Sequence, residues 1–300
     1  MTHRINVTDF NLAATLECGQ AFRWSRVADG WYTGVVGKEV WRLRQIGNEI
    51  EWQADPPHLN PLPQTTGKRK PVMQSPLPTG GEGQCEGLRH YLTLDRSLSA
   101  ITGTFPSDDA LQQAVQAHWG MRVLRQEPWE TLASFIASST KQIVQIRQIV
   151  DHLATRFGEP ISGGYHAFPA IEVIARAAPQ QLLDCKLGFR AKYLLAAAQM
   201  IDSGKVRLHD VPAMEYGRAL EELLKIPGVG EKIANCTLLF SCGFNQAFPV
   251  DVWVERSVKR LYFPRRKVSA KKLREFSRSR FGPNAGWAQQ YLFYAERIRD

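Results

Sequence analysis

The stretch from Leu223 to Arg256, LLKIPGVGEKIANCTLLFSCGFNQAFPVDVWVER, constrains this chain more than any other. Its pattern predicts a helix, a tight turn, a second helix, a loop and the start of a third helix. The turn is Ile226-Pro227-Gly228-Val229-Gly230. Gly228 and Gly230 let the backbone approach a ligand with no Cβ in the way. The free N–H groups at the start of the next helix then point at that ligand, and a phosphate suits them by hydrogen bonding and by the helix dipole. A helix–helix turn with no ligand at all reads the same from these five residues.

Two further residues narrow the choice. Lys232 follows Glu231 in the first turn of the second helix, where the dipole works against an ammonium. A lysine so placed is a candidate amine nucleophile able to form a Schiff base; the commoner alternative is a surface lysine that holds phosphate. Asp251 follows Pro249-Val250 and opens the third helix, a natural N-cap position. An acid fixed beside an amine can also stabilise positive charge developing on a sugar. Cys236 lies four residues after Lys232 and shares its helix face. Gln289 and Phe293 are likewise four apart, so one face offers an amide and a ring. Together they can read the edge of a flat base and stack on it, although Cys236 and Phe293 alone fit a core and Gln289 alone fits solvent.

The rest of the chain supplies the frame. Phe22–Val27, Trp31–Val36, Glu39–Ile46 and Glu49–Trp52 read as an antiparallel meander, with Gly37-Lys38 as a two-residue turn. Trp41 and Leu43 alternate with Arg42 and Arg44, which gives one packed face and one wet face. Gly19 sits just before the first strand, in CGQAFRW. Residues 55–87 hold seven prolines and five glycines with almost no apolar periodicity. Such a stretch cannot bury enough surface to offset its ordering entropy, so it predicts a disordered insertion. From Leu88 onward the periodicity is helical, as in Ile143–Phe157, where Ile143, Ile146, Ile149, Val150 and Leu153 line one face. The expected fold is therefore α+β, mostly α. A small antiparallel β-sheet domain covers 1–123, interrupted at 55–87, and an all-α domain covers 124–300.

Charge and cysteines bound the function. The formal charge is +9, and ten Lys or Arg against one acid fall between Lys259 and Arg280, which fits a polyanionic partner. Five cysteines with no C-x-x-C pair argue against a disulfide framework or a zinc site. The N-terminus MTHRINVTDFNL has no apolar run, and no 18 consecutive apolar residues occur anywhere. The expectation is a soluble protein of a reducing compartment, with no membrane partner and no metal.

With these residues in view, the sequence resembles the 8-oxoguanine DNA glycosylase/AP lyase family of the helix-hairpin-helix superfamily. The likeness rests on CGQAFRW at 18–24, LRQEPWETLASFIASS at 124–139, LGFRAKY at 187–193, IPGVGEKIANC at 226–236, FPVDV at 248–252 and GWAQQYLF at 286–293. The resemblance implies Lys232 as the nucleophile at C1′ and Asp251 as its electrostatic partner. It implies Gly19 as the carbonyl that accepts the N7 proton of the lesion, Gln289 on the Watson–Crick edge, and Phe293 and Cys236 on the two faces of the ring. Gly228, Val229 and Gly230 then hold the DNA backbone, while Phe189 wedges the stack and Arg190 and Thr140 stand near the opposite base. It implies no cofactor, a monomer, and double-stranded DNA containing 8-oxoguanine as partner. The place of work is then the cytoplasm or nucleoid of a bacterium, or the nucleus of a eukaryote. Two rival readings are a monofunctional glycosylase for another damaged base and a non-catalytic hairpin module that binds DNA.

Four positions depart from the family pattern. Thr140-Lys141-Gln142 replaces an asparagine run, Gln145 replaces an arginine, Phe189 a tyrosine, and Trp253 a histidine near the phosphate. The first two bear on preference for cytosine opposite the lesion. Trp253 bears on phosphate contact or simply packs.

Overall fold

The structure, a computed structural model, describes residues 2–55 and 81–299. Five antiparallel strands make the sheet: β1 (His3–Asn6), β2 (Trp24–Arg26), β3 (Tyr32–Val36), β4 (Glu39–Ile46) and β5 (Glu49–Asp55). Their order across the sheet is β1-β5-β4-β3-β2. Gly37, at φ +60°, makes the turn that pairs Val36 with Glu39. The alternation at 41–44 holds, with Trp41 and Leu43 buried, Arg42 exposed and Arg44 half-buried. Trp24, Trp41, Leu43, Ile50 and Trp52 share a core with Leu88, Tyr91 and Leu92. The Trp24 indole closes it by donating to the Tyr91 hydroxyl at 2.8 Å.

The helices are α1 (Leu12–Glu17), α2 (Gly81–Tyr91), α3 (Leu98–Thr102), α4 (Asp109–Ala117), α5 (Pro128–Ala137), α6 (Ile143–Phe157), α7 (Ile171–Ala175), α8 (Pro179–Asp184), α9 (Ala191–Asp202), α10 (Tyr216–Leu224), α11 (Glu231–Ser241), α12 (Val252–Tyr262), α13 (Ala270–Phe281) and α14 (Ala285–Arg297). The fold is the expected mostly helical α+β arrangement. The largest core lies among α5, α6, α9 and α11, where Phe135, Ile149, Leu194 and Leu238 are buried together. A second helical core joins the two ends of the chain: Ala14 and Cys18 pack with Phe248, Val254, Tyr291 and Leu292. Arg122 ties the segments of the N-terminal part to one another. It is buried, and its guanidinium donates to the carbonyls of Thr8, Asp9, Thr93 and Arg96.

Two expectations change. The sheet has a further strand, β1, and a helix, α1, before the meander. Strand β1 is an edge strand with one buried side chain, Ile5, so it carries no alternation to read. The stretch expected to lack order, 55–87, also holds residues that are in regular structure. Asp55 ends β5 opposite Val40, and α2 begins at Gly81, seven residues before Leu88. Cys85 and Leu88 dock on the sheet core there, and that packing outweighs the poor helix propensity of Gly83 and Gly87. The remaining residues, 56–80, lie outside the described part of the chain.

Candidate active site

The hairpin turn is built from its glycines. Gly228 has φ +82°, and a Cβ there would penetrate the ring of Tyr193 on α9. The turn is therefore pressed flat against α9, and only glycine allows it. Val229 points inward and is buried, so Gly228 and Gly230 are the exposed positions. Gly230 is the N-cap of α11 and offers no side chain to the first N–H groups of that helix. Those donors stay open to an anion.

Lys232 leaves α11 one turn from the hairpin. Its ammonium donates to the Ser138 hydroxyl at 3.1 Å and lies 5.0 Å from the centre of the Phe135 ring. Ser138, the C-cap of α5, donates its own hydroxyl hydrogen bond to the Phe135 carbonyl at 2.7 Å. Ser138 therefore accepts from the lysine and fixes it. Asp251 caps α12 as its position predicts: one carboxylate oxygen accepts from the Trp253 and Val254 N–H groups at 3.0 and 2.8 Å. Burial raises the Asp251 pKa above the ordinary carboxylate range, while the Val254 N–H and the Lys232 charge pull it back. The Lys232 and Asp251 charges both reach Cys236 as well. Burial pushes the Cys236 thiol up to about 12, which makes it an apolar platform and not a reactive thiolate.

Of the residues expected to meet a flat base, Gln289 and Phe293 both lie on α14, and Gly19 is brought beside Phe293. Gln289 is 3% exposed, and its buried Oε1 has no hydrogen-bond partner. Gln290, next to it, donates to the Cys18 carbonyl at 2.9 Å and so ties α14 to the turn that carries Gly19. Gly19 has φ +81°, and Phe293 Cε1 is 3.3 Å from where a Gly19 Cβ would be. Gly19 and Phe293, 274 positions apart in the chain, are thus neighbours.

On the other side of the hairpin, Phe189 is 58% exposed. Arg190 is 4% exposed and stacks on Phe189 at 4.5 Å. It donates to the carbonyls of Ser139 and Leu187 and to the Thr140 hydroxyl. Thr140 has φ +57°, a left-handed conformation that costs a β-branched residue free energy. The structure thus joins Thr140 and Arg190 to each other and leaves Phe189 exposed, braced by Arg190 on its face and by Tyr193 in an edge contact at 6.3 Å. Trp253 lies under the Arg256 guanidinium, 4.8 Å away. Sequence reasoning passed over Ser138, Phe135 and Arg297. Arg297 donates to the Glu17 carbonyl at 2.7 Å, and its spacing of four from Phe293 was the available signal.

Known proteins resemble this chain in sequence and fold. Residues 3–132 match the family described as 8-oxoguanine DNA glycosylase, N-terminal domain, and residues 133–283 match the HhH-GPD superfamily base excision DNA repair protein. A structure of MBOgg1 in complex with a low-affinity DNA ligand superposes with a TM-score of 0.87 at 33% identity, over 99% of this chain and 96% of that one. The chain belongs to the 8-oxoguanine DNA glycosylase/AP lyase family. A second member, the 8-oxoguanine glycosylase/lyase of Clostridium acetobutylicum, was solved with double-stranded DNA containing cytosine opposite 8-oxoG. It superposes with a TM-score of 0.85 at 31% identity, covering 100% of this chain and 98% of that one. The N-glycosylase/DNA lyase of Arabidopsis thaliana is 28% identical over 98% of this chain and 79% of its own length. Among the described residues, no helix is long and apolar enough to cross a membrane, and no group of His, Cys, Asp or Glu is placed to hold a metal ion.

Proposed function

We propose that this chain removes 8-oxoguanine from duplex DNA and then cleaves the abasic site, with Lys232 as the nucleophile. The observation that carries the reading is the pairing of Lys232, fixed by Ser138, with Asp251, each at the start of a helix and each acting on Cys236. The Lys232 amine attacks C1′, the bond from C1′ to N9 breaks, and the base leaves with that electron pair. One proton passes from the lysine nitrogen to O4′ as the sugar ring opens, and the resulting protonated Schiff base acidifies C2′–H, whose loss expels the 3′ phosphate by β-elimination. Asp251 stabilises positive charge on the sugar ring while the base departs.

The base itself must leave the stack, which costs a few kcal/mol. Gln289 supplies an acceptor that has no partner within the protein, Phe293 and Cys236 cover the two ring faces, and Gly19 accepts from N7–H. Gly228, Val229 and Gly230 hold the backbone phosphate. Phe189 fills the gap left in the duplex. Arg190 meets the opposite base once it leaves the Ser139 carbonyl and Thr140. Residues 1–123 and 124–300 form its two domains, and the enzyme acts as a monomer on chromosomal DNA, in the cytoplasm or nucleoid of a bacterium or the nucleus of a eukaryote. Borohydride is expected to trap a covalent adduct between the chain and 8-oxoguanine duplex, and Lys232→Gln is expected to abolish it. Base release with no adduct from the unaltered chain would remove Lys232 from the nucleophile's role.

A further inference from the structure

Arg297 stands at the junction of the two halves of the base pocket. Its Nη2 donates to the carbonyl of Glu17, two residues before Gly19. Its Nη1 is buried and has no hydrogen-bond partner. That same Nη1 is 2.7 Å from the point where a Cβ on Gly19 would sit, and Phe293 Cε1 is 3.3 Å from it. The guanidinium carbon is 5.7 Å from the centre of the Phe293 ring. A buried donor left without an acceptor is costly, and in native structures such groups mark places where a ligand or water completes the bonding. The surroundings add positive charge. Arg147 on α6 also has a buried, unpartnered Nε, and the charges of Arg297 and Glu17 both reach it. The Glu17 carboxylate accepts from the Tyr32 hydroxyl at 2.6 Å. Two buried N–H donors without a partner, one on each arginine, leave this wall with an excess of donors.

We infer that Arg297 is a specificity-determining residue of the base pocket, whose Nη1–H donates to the C8 oxygen of the lesion. The inference rests on the proposed reading of Gly19 as the partner of N7–H. In 8-oxoguanine, N7–H and C8=O stand side by side, a donor next to an acceptor. Gly19 supplies the acceptor and Arg297, beside it, supplies the donor. Guanine presents a lone pair at N7 and a hydrogen on C8, so both protein groups meet the wrong partner. The pair reads the lesion twice where a single carbonyl reads it once.

The test is a cycle between the arginine and the oxygen. The Lys232→Gln chain is bound to duplexes carrying 8-oxoguanine or 8-thio-7,8-dihydroguanine, each measured relative to unmodified DNA. The thione keeps N7–H and replaces the oxygen with a poorer acceptor. With Arg297 present, the oxygen is expected to be preferred by about tenfold or more, the size of a charge-assisted hydrogen bond. Arg297→Leu is expected to erase most of that preference, and Arg297→Lys, which keeps the charge without the planar fork, to give an intermediate value. If Arg297→Leu does not fold, the Lys variant decides by itself. An equal preference with and without the guanidinium overturns the inference and leaves Arg297 as a prop for Phe293 and the Glu17 turn. If the unaltered chain neither releases 8-oxoguanine nor binds either modified duplex above background, the reading of the pocket fails first.

Discussion

Asp251 caps α12, and the proposed function gives the same carboxylate a second role; the two separate under substitution. As a cap it accepts from two backbone N–H groups; as an electrostatic partner it must be ionised. Asparagine keeps a capping oxygen but no charge, so Asp251→Asn is expected to leave the melting temperature nearly unchanged and to lower base release by about 10²-fold or more. Burial raises the Asp251 pKa above its ordinary 3.8. Glycosylase activity is therefore expected to fall, as the pH drops, at a midpoint above that value, and the Asn variant is expected to lose this limb of the pH–rate profile. Single-turnover rates between pH 4 and 8 check both statements. A carboxylate behind Pro-Val at a helix start was legible in the sequence because capping is local. Arg190 was not: what holds it is the Ser139 carbonyl and the Thr140 hydroxyl, some 50 residues earlier. The left-handed backbone of Thr140 has no signature either, since a β-branched residue is among the last expected there.

Among the elements, the hairpin and α5 make contrasting demands. The hairpin's glycines differ in kind. Gly228 combines φ +82° with contact on Tyr193, whereas a Cβ on Gly230 meets nothing and its φ is ordinary. Gly228→Ala is expected to cost about 1–3 kcal/mol of stability and to weaken DNA binding as the turn lifts off α9; Gly230→Ala is expected to cost less, and chemical denaturation of both variants measures the difference. On α5, burial pushes Glu130 up to about 7, opposed by Arg23 and assisted by Glu127. A raised acid favours the protonated folded state. Its contribution is fully present below the ordinary 4.5 and is lost as the pH rises through about 7. Glu130→Gln is therefore expected to melt higher than the unaltered chain at pH 8 and at nearly the same temperature at pH 5; a gap that does not depend on pH would assign the effect to packing. The helix periods and the meander were legible because their signals lie within each element. The strand β1 and the helix α1 were not, because an edge strand of four residues is defined by its partner β5. That omission also hid why Gly19 sits where it does, directly after α1.

Across the whole molecule, the chain's two ends share a core, and the proposed pocket lies on it; this bears on how the protein should unfold. The proposed boundary near residue 123 falls after three of the helices that follow the sheet. The packing does not respect it. Ala14, Cys18, Leu111 and Met121 share a core with Phe248, Phe281, Tyr291 and Leu292. Gln290 adds a polar tie across the same junction, donating to the Cys18 carbonyl at 2.9 Å. Burying a large side chain contributes roughly 1.5–3 kcal/mol, so a junction with several of them is comparable with the stability of a typical domain. Neither part can open without exposing that shared core. The sheet and the helices are therefore expected to lose structure together. Tryptophan fluorescence weighted toward Trp24, Trp41 and Trp52 reports the sheet, and helical circular dichroism reports the remainder. The two melting curves are expected to coincide in one transition, and duplex DNA containing 8-oxoguanine is expected to shift both upward equally. A separate, earlier melting of either signal would show that the two parts fold independently, and Gly19 and Phe293 would then be brought together by DNA and not by the fold.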